Sequence, residues 1–193
     1  CSSIPDENVK IPTVVRSAAE GKVANEDELP LGVLLTGGRQ LRKAGLDGTG
    51  VRVAVIDSGI DDAHPGFSGQ VQRKVWYRSG TPLSQDDHGT HVAGTIHLMA
   101  PKAEIYDYRV FGRTGSVSVT EAVAKAIRAA ADARCQVINM SLGGPQSSPS
   151  IKSAVEYAAS KGVIMVCAAG NEGDNNPLTN EIRFVHVFST FLS

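Results

Sequence analysis

A chain of 193 residues that is 41% hydrophobic can bury the core of one domain, and 19 basic against 20 acidic side chains leave a net charge of −1. That balance gives no electrostatic ground for nucleic-acid or anionic-membrane partners. The longest apolar runs, such as residues 163–169, fall well short of the roughly 20 needed to cross a bilayer. Because the first residue is Cys1 rather than Met, the expectation is that the natural start was removed, which leaves room for a secretory leader and an extracellular location. Three cysteines do not form the even set of a disulfide framework, and Cys135 and Cys167 are expected to be free thiols.

In chain order, residues 1–28 are polar and aperiodic, with Pro5, Pro12, Gly21 and the acidic run Glu26, Asp27, Glu28, and read as a linker or prosegment remnant. Residues 29–193 form the folded part. From Val51 onward, short apolar runs alternate with helical periods, the pattern of βα units on a parallel sheet. Strands are predicted at 51–57 (VRVAVID), 103–111 (AEIYDYRVF), 136–141 (QVINMS) and 163–169 (VIMVCAA). Their near-continuous apolar character implies burial on both faces. A helix is predicted over 89–99, ended by Pro101. In a second, Ser118 and Glu121 read as a capping box, and Val123, Ala126, Ile127 and Ala130 recur at helical spacing. Pro149, then Ile151, Ala154, Val155 and Ala158, then Gly162 as the stop, give a third. The fold class is α/β, a mostly parallel central sheet flanked by helices.

Asp57 closes the first strand and is followed by Ser58 and Gly59, which places a carboxylate at the carboxyl edge of the sheet, where such folds build their sites. Taken alone, the pattern favours an Asp that merely caps a turn. Dinucleotide binding is not, since Gly45, Gly48 and Gly50 precede the strand instead of following it. Further on, DDHGTHVAGT puts His88 and His91 at the start of a helix behind two carboxylates. Asp86, His88 and His91 could hold a metal, but a zinc-binding pair on a helix uses His-Glu-x-x-His, and here the spacing is shorter and the Glu is missing. Two ordinary helix-surface histidines are the plain alternative.

The combination changes the reading. VAVIDSGID (53–61), HGTHVAGT (88–95), SLGGP (141–145) and AAGNEG (168–173) stand in the order of the Asp, His, substrate-cleft and oxyanion segments of subtilisin-like serine proteases, which this chain resembles over about residues 29–180. The resemblance implies a three-layer subtilisin-like fold, incomplete at the C-terminus, and a serine endopeptidase acting on polypeptide without a cofactor. It assigns Asp57 to orient the imidazole, His88 to take a proton from a serine hydroxyl and return it to the leaving amine, and Asn171 to donate to the oxyanion. It also implies that Ser141, Leu142 and Gly143 bind the peptide backbone on one side of the cleft, with Gly115 and Ser116 on the other, the substrate adding as a strand. Glu172 would mildly favour a basic side chain before the cut.

The departures matter as much. The nucleophile of this family lies in a Gly-Thr-Ser-Met-Ala segment that the 193 residues do not contain, and Ser58, Ser141, Ser147 and Ser189 lack its surroundings. Cys167, within an apolar run, reads as core. The tail IRFVHVFSTFLS (182–193) matches nothing in the family, and the direct passage from Ile96 to Pro101, with Gly66 where a calcium-binding Asp is often found, predicts that the usual calcium site is missing. The expectation is therefore a partial peptidase domain, inactive alone, whose serine comes from a second segment or chain. The alternatives are a truncated product or an inactive peptide-binding module, and, more remotely, a metal hydrolase on Asp86, His88 and His91.

Overall fold

The computed structural model describes residues 31–67, 69–80, 87–144 and 148–168. Two short helices, α1 (Leu31–Leu35) and α2 (Gly38–Lys43), lead into a five-stranded sheet in the spatial order β2-β4-β1-β6-β7. Its strands are β1 (Arg52–Asp57), β2 (Val71–Trp76), β4 (Glu104–Arg109), β6 (Val137–Met140) and β7 (Ile164–Cys167), and every pairing is parallel. β3 (Arg78–Ser79) and β5 (Thr114–Gly115) form a small antiparallel pair beside it.

The period of two along β1 divides the interior into two cores. Ala54 and Ile56 face α4 (Val119–Asp132) and α5 (Pro149–Ser160), together with Tyr108, Ile138 and Met140. Val55 faces the other way, toward Ile105 and Ala93 of α3 (His88–Met99) and Phe67 of a short 3₁₀ turn. The result is the three-layer α/β arrangement that the sequence predicts. The four predicted strands are all present, β1 shorter by its first residue and the others trimmed at both ends, and the three predicted helices are present within a residue or so of their signals. Ser118 Oγ accepts the Glu121 N–H at 3.2 Å, but the Glu121 carboxylate pairs with Lys125 Nζ at 2.8 Å, so only half of the capping box forms. Ser148 caps α5 in the same way, ahead of Pro149, and Gly162 leaves the helix with a φ of 76°.

Three features differ from the sequence reading. β2 was not predicted, because VQRKVW is mostly exposed and polar, as suits a strand with one pairing partner among the described residues. α1 and α2 lie where no helix was predicted. Among the described residues β7 is covered on one face only: Ile164 is 59% and Val166 48% exposed, and the helices α4 and α5 lie on the side to which Met165 points. The predicted linker at residues 1–28 lies outside the described residues.

Candidate active site

Asp57 is the last residue of β1 and His88 the first of α3, and the two elements bring their side chains into contact. Asp57 Oδ1 lies 2.8 Å from His88 Nδ1, with the side chains 0% and 6% exposed. A carboxylate only accepts hydrogen bonds, so its place at Nδ1 selects the tautomer with the proton on that nitrogen and leaves the lone pair on Nε2. The same Oδ1 accepts the Ser58 N–H at 2.7 Å, which fixes the carboxylate against rotation. Asp57 Oδ2 is buried and has no hydrogen-bond partner among the described residues.

Residues beside the pair explain why the two motifs read as they do. The Gly89 N–H donates to Ser58 Oγ at 3.0 Å, and the Asp61 N–H donates to Thr90 Oγ1 at 2.9 Å, so the turn after β1 is stitched to the first turn of α3. A Cβ at position 89 would run into the Gly59 carbonyl oxygen, and Gly59 itself has a φ of 103°. Two glycines in backbone contact are what let a strand end and a helix start meet closely enough for Asp57 to reach His88.

The remaining predicted residues fall in different places. Ser141 and Leu142 follow β6, whose pairing with β1 runs Val53 to Val137 and Val55 to Asn139, so Ser141 lies level with Asp57 at the carboxyl edge. Leu142 is fully buried, which leaves its backbone as the part able to meet a peptide. Gly115 belongs to β5, opposite Arg78, and Ser116 next to it is exposed. Asn171 and Glu172 lie outside the described residues. His91 is exposed, His88 Nδ1 is engaged by Asp57, and among the described residues no group of three His, Cys, Asp or Glu side chains could hold a metal. Asp86 lies outside them. Cys135 and Cys167 are free thiols, and burial pushes the Cys167 thiol up to about 11, so it stays protonated near neutral pH and is a poor nucleophile.

Beyond the predicted set, a cavity of about 440 Å³ opens beside the turn after β1, lined by Ser58, Gly59 and Thr90 and by Lys74, Trp76 and Arg109. The Arg109 guanidinium lies 5.0 Å and the Lys74 ammonium 5.6 Å from the Trp76 ring centre. Beneath them Asp107 is fully buried, and its Oδ2 accepts the Trp76 Nε1–H at 2.9 Å. The signal in the sequence was one acid in the middle of an apolar strand run.

The sequence model described as the subtilase family matches residues 48–185. The chain is similar to the major intracellular serine protease of Bacillus subtilis, at 31% identity over 89% of this chain and 59% of that protein, and to subtilisin E of the same species, at 38% over 81% and 44%. Among solved structures it is similar to fervidolysin from Fervidobacterium pennivorans, a keratinolytic enzyme related to subtilisin, with a TM-score of 0.64 and 28% identity over 86% of this chain and 28% of that one. It thus spans well under two thirds of each of these relatives. With the order of the motifs, the three-layer sheet and the Asp57–His88 contact on one side and these matches on the other, the chain belongs to the subtilase family.

Proposed function

We propose that this chain supplies the Asp and His of a serine endopeptidase, with the attacking serine contributed by a segment outside these 193 residues. The observation that carries the reading is the buried 2.8 Å contact between Asp57 and His88 at the carboxyl edge of the sheet. In the proposed reaction, His88 Nε2 accepts the proton of the serine hydroxyl as the oxygen attacks the scissile carbonyl. It then returns that proton to the amine as the carbon–nitrogen bond breaks. Asp57 stabilises the imidazolium in between. Asn171 would donate to the oxyanion, a contribution whose loss costs about 10² to 10³ in turnover.

An extended polypeptide is the proposed substrate, held between the Ser141–Leu142–Gly143 backbone and Gly115–Ser116. The full-length protein should hydrolyse unstructured protein and be stopped by serine-directed reagents. Replacing His88→Ala in it should lower turnover on the order of 10⁶, a magnitude carried over by analogy from the triad histidine of subtilisin. A loss under tenfold would remove His88 from this role. A full-length product with no Gly-Thr-Ser-Met-Ala segment, binding peptides without cutting them, would instead support the inactive-module reading.

A further inference from the structure

Asp107 has no part in the triad chemistry, yet its surroundings are those of a working group. It sits on β4 level with Val55 of β1, while Arg109 on the same strand is level with Asp57. Side chains two apart on a strand share a face, so Asp107 and Asp57 lie on one side of the sheet, diagonal neighbours under the same turn. Its Oδ2 holds the Trp76 indole N–H, and Oδ1 is buried without a hydrogen-bond partner among the described residues. The Ile60 N–H, from the turn after Asp57, approaches the carboxylate and favours its charged form without reaching ordinary hydrogen-bond geometry.

We propose that Asp107 is a positioning residue of the active site, whose carboxylate fixes the Trp76 indole as one wall of the cavity beside Asp57 and His88, and whose protonation loosens that wall. A hydrogen bond to an ionised acceptor is roughly twice as strong as one to a neutral group, so gain of a proton at Oδ2 weakens the hold on the indole. Trp76 is 49% exposed, and among the described residues its ring also meets the cations of Arg109 and Lys74.

The charged groups around Asp107 are Lys74 on β2, its partner in register, Arg109 on β4, Asp57 on β1 with His88 of α3 beyond it, and Asp61 and Asp62 in the turn, Asp62 being paired with Lys74. Burial outweighs the favourable cations and the Trp76 bond and pushes the Asp107 carboxyl up to about 6. The change of state therefore falls within a range that a protease can meet.

The proposal rests on the proteolytic reading for its consequence, but its core can be read without activity, because Trp76 is the single tryptophan of the chain. The emission of the 193-residue chain, followed from pH 4.5 to 8 with circular dichroism as a control for folding, should show one transition with a midpoint near 6. The transition should vanish in Asp107→Asn. A flat emission profile in the folded wild type overturns the proposal even if the variant fails to fold, and so does a transition that persists unchanged in a folded Asp107→Asn.

In the full-length protein, KM for a peptide should rise up to about tenfold from pH 7 to pH 5 in the wild type, the factor set by a carboxyl titrating near 6. It should stay level in Asp107→Asn, while kcat changes with pH in the same way in both. Equal KM profiles in the two proteins overturn the positioning role. A full-length protein with no peptidase activity at any pH defeats the proteolytic reading instead, and the emission midpoint then decides the proposal by itself.

Discussion

Gly89 carries the contact between the two catalytic motifs, because its missing Cβ is the space that the Gly59 carbonyl uses. Gly89→Ala should destabilise the fold by about 3 kcal/mol or more, since the obstacle is backbone and cannot rotate away. Thermal unfolding would measure it, and a loss below about 0.5 kcal/mol would show that the turn yields without cost. Asp107 gives the second prediction at this scale. Its folded carboxyl is raised from 3.8 to about 6, so the folded state holds this proton more tightly than the unfolded chain. The stabilising contribution is complete below pH 3.8 and is lost as pH rises to about 6, by about 3 kcal/mol. Relative to the wild type, Asp107→Asn should therefore gain about 2 kcal/mol between pH 4 and pH 7.5 in urea unfolding. A difference between the two proteins that does not change with pH would contradict the buried carboxyl.

At the scale of elements, local chemistry fixes where the helices begin. Ser118→Ala and Ser148→Ala each remove an acceptor for an otherwise unpaired N–H, at 3.2 and 3.4 Å, and each should cost about 1 kcal/mol in stability. Denaturant unfolding of each variant checks this. The strands were legible for a different reason: residues buried on both sides of a sheet must be apolar almost without interruption, so β1, β4 and β6 stand out as runs, and β7 is as apolar although Ile164 and Val166 are exposed. β2 did not, because its Gln72, Arg73 and Lys74 are exposed. Its place was decided by pairing with β4 instead of by any pattern of its own. α1 and α2, of five and six residues, are too short for a period to show.

For the whole molecule, the exposed Ile164 and Val166 on β7 form an apolar strip that no described helix covers. The 193-residue chain should therefore associate with itself at micromolar concentration, and Ile164→Lys with Val166→Lys should reduce this without unfolding it. Size-exclusion chromatography with light scattering decides the point, a strictly monomeric wild type being the contrary result. The same chain should show no turnover of a generic peptide substrate, because it contains no Gly-Thr-Ser-Met-Ala segment.

The sequence by itself determined the family, four of the five strands of the main sheet, and the expectation that Asp57 and His88 work as a pair. Each of these rests on short contiguous motifs whose backbone demands are local: a carboxylate at a strand end, an imidazole at a helix start, glycines where a side chain would clash. Only the tertiary structure decided which strands are neighbours. It also decided that Ser58 and Thr90 bind across the two motifs, that one face of β7 is uncovered among the described residues, and that Asp107 lies under the turn after β1 with Trp76 as its partner. Those relations join residues some 30 positions apart, such as Asp107 and Trp76, through sheet register. Register is set by the packing of all the elements together, so no single stretch of sequence carries it.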